Sequence, residues 1–218
     1  MRRLIFVRHG ESTANVARDN TDSRETELTA KGREQARKTG DFLREFYNVT
    51  LICASPFKRT IDTADLINAA LNVPIKTNEL LIEAHNGVIN GVHVSDINKT
   101  AAGRKWSKIY SEFKDVNPVE MTKPESKARA ALKKAQAVVK AETDEELLKR
   151  VKKAMKWIRS QKTKGDIVVV SHGGVIKFMI KALFNISPLC WSVGNCSVCV
   201  VSHSGELELL ARDGHLRE

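Results

Sequence analysis

A chain of 218 residues can bury one substantial core, and no Pro/Gly/Ser-rich stretch divides it, so a single domain over residues 1–218 is expected. No apolar run approaches the ~20 residues needed to cross a bilayer, which leaves no membrane-spanning helix. The formal charge of +10 fits nucleic acid, an anionic membrane surface or small acidic substrates; aromatics are only 6% of the chain, so base-stacking platforms are scarce and small phosphorylated ligands fit more easily than nucleic acid.

Leu4–Val7 is a short apolar run ending in Arg8-His9-Gly10, which predicts a buried strand running into a loop. Arg8 and His9 break that run too early for a signal peptide, and a cytoplasmic location is expected. Thr29 is placed to cap a helix from Ala30 to about Tyr47, with Ala36, Leu43, Phe46 and Tyr47 on its apolar face. Leu51–Ala54 predicts a second strand, after which Ser55-Pro56 caps and starts a helix to about Leu71 with Arg59 in its first turn. A third short strand is expected near Val73–Lys76, leading into Leu80-Leu81-Ile82-Glu83.

Between Val92 and Ala141 the strand pattern disappears, and Glu125–Lys140 has a helical composition with a basic face. Residues 92–141 are therefore expected to form an inserted helical cap, on which Lys123, Lys127 and Arg129 could guide anions. Thr143 and Glu146 form a capping box for a helix to about Ser160, with Leu147, Val151, Ala154, Met155 and Ile158 as its buried stripe. A fourth strand, Ile167–Val170, ends in Ser171-His172-Gly173-Gly174 before an apolar helix from Val175 to Phe184. Ser197–His203 and Glu206–Leu210 read as two more strands, whose edges leave a homodimer open. Alternation of this kind predicts an α/β fold: a three-layer sandwich with a mostly parallel central sheet, helices on both faces, and ligands beyond the carboxyl ends of the strands.

Cys196 and Cys199 form a CxxC pair, but they sit at a strand-like stretch and no second pair with zinc spacing accompanies them, so no metal site is expected. The chemistry lies elsewhere. A phosphoryl-transfer site needs a nucleophile, cationic donors around the equatorial oxygens and an acid for the leaving group. Every part is available at an expected strand end: His9 with Arg8 beside it, Arg59, Glu83 and His172. Arginine offers a planar fork of parallel donors, and a neutral imidazole can attack through one nitrogen while a backbone carbonyl holds the other. Taken singly, each of these residues has a plain reading as a packed histidine, a surface ion pair or a carboxylate paired with Arg59. Gly10 would allow close approach of the backbone to the His9 ring.

Arg8-His9-Gly10-Glu11 resembles the RHG signature of the histidine phosphatase (phosphoglycerate mutase-like) superfamily, and further motifs follow in that family's order. Leu28-Thr29 with Gly32, Gln35 and Ala36 is similar to its LTxxGxxQA segment, Ser55-Pro56 with Arg59-Thr60 and Thr63-Ala64 to SPxxRTxxTA, and Ser171–Gly174 to SHGG. Glu83 with Gly87 and Gly91 resembles its ExxxGxxxG acid segment. The resemblance implies that His9 is phosphorylated, that Arg8, Arg59 and His172 hold the phosphoryl group, and that Glu83 protonates the leaving oxygen. It further implies that Asn15, Gly10, Ser12 and Gly173 line the phosphate pocket and that no cofactor is needed.

Within that family the departures matter. Glu83–Gly91 resembles the mutase version ERHYGxLQG, but Ala84 and Asn86 replace the arginine and tyrosine that mutases place around phosphoglycerate. Trp106-Ser107-Lys108-Ile109-Tyr110 stands in the position of the mutases' WRRxY, with Ser107 and Lys108 where arginines would be expected. Ala141-Glu142-Thr143 departs from the GES of many members, while Asp213-Gly214-His215-Leu216 looks like the phosphatase branch. A phosphomonoester hydrolase acting on a small phosphorylated metabolite or a phosphoprotein is expected. A phosphoglycerate mutase and a non-catalytic anion-binding scaffold are the alternatives.

Overall fold

The structure, a computed structural model, describes residues 2–21, 23–111, 127–188 and 191–217. Its strands are β1 (Leu4–Arg8), β2 (Asp19–Asn20), β3 (Val49–Ala54), β4 (Ile75–Thr77), β5 (Val92–His93), β6 (Asp166–Ser171), β7 (Val198–Val201) and β8 (Leu207–Arg212). Its helices are α1 (Thr13–Ala17), α2 (Ala30–Phe46), α3 (Lys58–Leu71), α4 (Ala101–Ser111), α5 (Lys127–Val139), α6 (Asp144–Arg159) and α7 (Gly173–Phe184). The main sheet has the order β4-β3-β6-β1-β7-β8. Strands β4, β3, β6 and β1 are parallel neighbours, whereas β7 runs antiparallel to β1 and β8 to β7.

Period-two alternation divides the sheet between two cores. Leu4, Phe6, Leu51, Cys53, Ile167 and Val169 face one side, where they meet the stripe of α6 and the apolar face of α7. Ile5, Val7, Ile52, Ala54, Val168 and Val170 face the other, where Leu43 of α2 and Ala64 and Ile67 of α3 cover them. Both faces of the central strands are buried, which is why their sequences read as continuous apolar runs. Among the described residues, no helix is long and apolar enough to cross a membrane.

The elements fall where the sequence placed them, with four differences. Phe57, not Ser55, is the N-cap residue of α3, and the Ser55 hydroxyl turns to a histidine instead. Phe46 is not a core residue: it is 61% exposed and meets the Phe42 ring at a tilt, at a centroid distance of 5.1 Å. The segment after Gly10 is not all loop, because Ser12 and Asn15 build a capping box that starts the five-residue α1. Residues 92–141 contain a two-residue strand, β5, paired with β2, as well as α4 and α5. Ile97 and Val139 of that region pack with Ile89, just before it, in a small separate core. The side chains of Trp106, Ser107, Tyr110, Lys127 and Arg129 lie outside the described residues, as do Lys123 and Cys190.

The loop after β1 lies directly on the first turn of α2. A Cβ on Gly10 would stand 2.3 Å from the Gly32 carbonyl oxygen, and one on Gly32 would stand 2.0 Å from that of Glu11. Gly10 is thus required by packing against Gly32 rather than by closeness to an imidazole. Thr29 and Gln35 pin the same loop, since Thr29 N–H donates to Glu11 O at 2.9 Å and Glu11 N–H to Gln35 Oε1 at 2.9 Å. Gly32→Ala is expected to lower the unfolding free energy by about 1–3 kcal/mol through overpacking; a urea midpoint unchanged from wild type would show that the loop can withdraw freely.

Candidate active site

Parallel register brings three strand ends together. Arg8 pairs with Ser171 and Ala54 with Val170, so the residues that follow, His9, His172 and Ser55, emerge side by side at the carboxyl edge of the sheet. His9 N–H donates to Ser171 O at 3.0 Å, and Ser55 N–H donates to Val170 O at 3.0 Å. Arg59, in the first turn of α3, is 3% exposed and its Nη1 donates to Ser23 O at 2.7 Å. Its guanidinium lies over Phe57, which in turn meets the His172 ring edge-on.

His9 Nδ1 lies 2.8 Å from the carbonyl oxygen of Gly10. A carbonyl only accepts, so Nδ1 carries the proton and Nε2 presents its lone pair. The ring is buried, and its pKa falls well below the ordinary histidine value because burial disfavours charge and Arg8 and Arg59 repel it. His172 is lowered well below that value as well, first by burial and then by His9, Arg59 and Arg8. The two rings meet edge to face at 5.3 Å. Ser55 Oγ and His172 Nε2 are 2.9 Å apart, while His172 Nδ1 makes no hydrogen bond among the described residues. Arg8 behaves similarly: Nη1 donates to Val193 O at 2.7 Å, and its buried Nε has no partner there.

Glu83 follows a 3-10 turn at Glu79–Leu81 and completes the group. Its carboxylate accepts from Ala84 N–H at 2.9 Å and from Gly174 N–H at 3.4 Å, at the start of α7. A Cβ on Gly174 would stand 2.7 Å from Glu83 Oε1, so a side chain there would displace the carboxylate. Gly173 borders Arg8, with its ideal Cβ position 3.6 Å from Nε. Asn15 and Ser12 are near but occupied: Ser12 Oγ and N–H both point to Asn15 Oδ1 at 3.1 Å. Two guanidinium groups, two neutral imidazoles and a carboxyl group at one sheet edge can bind a phosphoryl dianion and offer it a nitrogen nucleophile.

Residues that sequence reasoning passed over hold this set in place. Thr63 Oγ1 accepts from Gly10 N–H at 3.0 Å and donates to Arg59 O at 2.6 Å, tying nucleophile loop to arginine helix. Asn195 Nδ2 donates to His9 O and to Asn15 Oδ1, both at 3.0 Å. Lys177, one turn into α7 and half-buried, is lowered by burial and by Arg8 and raised by Glu83, which places its ammonium in the field of the same pocket. Thr63 lay within a recognised motif, whereas nothing local to Asn195 or Lys177 marks them. Among the described residues no group of three or more His, Cys, Asp or Glu could hold a metal ion. Burial pushes the Cys196 thiol up to about 12 and that of Cys199 to about 11, so neither is a thiolate at neutral pH.

A family model for the histidine phosphatase superfamily, branch 1, matches residues 4–212. The chain belongs to that superfamily, whose enzymes act through a phosphohistidine intermediate. A 2,3-bisphosphoglycerate-dependent phosphoglycerate mutase of Bacteroides fragilis is 28% identical over 200 residues, covering 86% of this chain and 79% of its own. Among solved structures, Bacillus stearothermophilus YhfR matches at a TM-score of 0.77 and 22% identity, covering 100% of both chains. A mycobacterial glucosyl-3-phosphoglycerate phosphatase in complex with VO3 matches at a TM-score of 0.73 and 23% identity, covering 97% of this chain and 99% of that one. At such identities the structural likeness establishes the fold.

Because His9 and His172 are neutral when folded but titrate normally when unfolded, the unfolded chain binds more protons at mildly acidic pH. Stability is therefore fully present above the unfolded histidine value near 6.5 and is lost as pH falls below it. Urea denaturation is expected to show a loss of up to ~1.4 kcal/mol per pH unit for each histidine below that point. His172→Asn should shallow the slope, and an equal slope in that variant would assign the acid sensitivity to other groups.

Proposed function

We propose that the protein is a phosphomonoester hydrolase that transfers a phosphoryl group from a small phosphorylated metabolite or a phosphoprotein to His9 and then to water. The observation that carries this reading is the Gly10 carbonyl bonded to His9 Nδ1, which commits a neutral Nε2 to attack between Arg8 and Arg59. Arg8, Arg59 and His172 supply donors to the equatorial oxygens, with Asn15, Ser12 and the backbone at Gly10 and Gly173 around them. As the bond from Nε2 to phosphorus forms, the bond to the ester oxygen breaks and Glu83, in its acid form, gives that oxygen a proton. Water then attacks phosphorus, the Glu83 carboxylate takes the water proton, and the P–N bond breaks to release inorganic phosphate and neutral His9. Residues 92–141 act as the cap of the single domain and border the site through the Glu83 loop.

Hydrolysis is favoured over mutase chemistry by the residues after Glu83. Ala84 packs its methyl against the core beneath α6 and α7 and offers no cation to a substrate carboxylate. Without that clamp a bisphosphorylated intermediate departs, and water reaches the phosphohistidine. Mutase chemistry is the second reading, favoured by the 28% identity to the Bacteroides fragilis mutase.

In EDTA, wild type is expected to release phosphate from an aryl phosphate or a metabolite panel, and His9→Ala to lose at least ~10³-fold of that activity. Interconversion of 3- and 2-phosphoglycerate with little phosphate release would establish the mutase instead. Turnover retained by His9→Ala would overturn the assignment of the nucleophile.

A further inference from the structure

Arg150, in the middle of α6, lies outside the pocket, yet its guanidinium has five N–H groups and five hydrogen bonds. Nε donates to Glu142 Oε1 at 2.8 Å and Nη2 to Glu142 Oε2 at 2.6 Å. Nη1 donates to the carbonyls of Leu80 at 3.0 Å and Ile82 at 2.7 Å, and Nη2 also to that of Glu83 at 3.4 Å. Three bonds thus converge on the short segment carrying the carboxyl group, and two on a carboxylate that fixes the fork. The side chains of Arg150 and Glu142 are only 16% and 15% exposed. Glu142 N–H adds a bond to His85 O at 2.8 Å, just past Glu83.

A partly buried ion pair of this kind is weak support for stability, because desolvation offsets much of its Coulombic gain. It does define geometry, since a planar fork with every donor used fixes all the carbonyls it reaches. Glu83 needs such fixing. The segment from Glu83 to His85 lies between two 3-10 turns, in neither helix nor strand, and the carboxylate itself is held by Ala84 N–H and the long contact from Gly174 N–H.

We propose that Arg150, braced by Glu142, is the positioning residue for the proton donor Glu83, setting how far its carboxyl group stands from the leaving oxygen. The inference rests on the phosphatase reading of Glu83 given above. It also links the site to the end of the 92–141 region, because Glu142 immediately follows that region and precedes the α6 cap at Thr143.

A positioning role shows in leaving-group dependence, which a general loss of folded protein would not change. The probes are p-nitrophenyl, phenyl and benzyl phosphate, in order of increasing need for a proton at the leaving oxygen. The readout is kcat/KM, which reports transfer to His9. General acid catalysis contributes roughly 10²–10⁴-fold, and a misplacement of about 1 Å costs on the order of 10²-fold. Arg150→Lys is therefore expected to lower kcat/KM for benzyl phosphate about 30–100-fold and for p-nitrophenyl phosphate less than about 3-fold. Glu83→Gln should steepen the series in the same way, and Glu142→Gln should do so more mildly, which keeps the test available if Arg150→Lys does not fold. Equal losses on all three esters in Arg150→Lys and Glu142→Gln, beside a steep series in Glu83→Gln, overturn the positioning role alone. A flat series in Glu83→Gln overturns the proton-donor assignment and the positioning role with it.

Discussion

Two imidazoles are kept neutral inside the protein by burial and by the guanidinium groups beside them, and the surrounding architecture serves that condition. A charged His9 could not attack phosphorus, and a wrongly tautomerised one would present a proton instead of a lone pair. The Gly10 carbonyl decides the tautomer, which requires the loop after β1 to keep that oxygen within hydrogen-bond reach of His9 Nδ1. That loop is held from three directions: by Gly32 and Thr29 of α2, by Thr63 of α3 and by Asn195 ahead of β7. His9 is thus supported by both helices on one face of the sheet and by the loop ahead of β7.

The same arrangement leaves polar atoms without protein partners. His172 Nδ1 and Arg8 Nε are buried and make no hydrogen bond among the described residues. Each such group costs on the order of 1–3 kcal/mol when left unsatisfied. The two close-packed cores on either side of the sheet give the strand ends beneath these groups a rigid base.

The sheet and its covering helices were legible because each strand is an unbroken apolar run and each long helix carries a cap and a stripe. Thr29, Thr143 and Glu146 occupy the capping positions their spacing indicates. The polar cluster at the sheet edge could be picked out because its residue types suit phosphoryl chemistry and His9, Arg59 and His172 come soon after strands of a parallel sheet; Glu83 reaches it after a 3-10 turn. What escaped was non-local or too short to have a period. Asn195 and Arg150 act on loops far away in sequence, and β5, with two residues, shows no alternation. Ser55 was read as a cap because Ser-Pro begins many helices; a buried histidine nitrogen competes for the same hydroxyl and takes it. The exposed Phe46 shows that an apolar stripe continues in sequence after the core it covers has ended.

The strand order also governs when the protein can begin to exist as an enzyme. β1 precedes the other described strands in the chain, yet it lies between β6 and β7, with Leu4 paired to Ile167 on one side and to Val201 on the other. At ribosomal speeds of about 5–20 residues per second, the nucleophile's strand waits on the order of ten seconds or more for its first neighbour. Until then Leu4–Val7 is an apolar β-forming segment without a strand partner. Assembly of the pocket therefore waits until β6 has been made, and a ribosome that stalls before it yields a polypeptide with both arginines and His9 but no site.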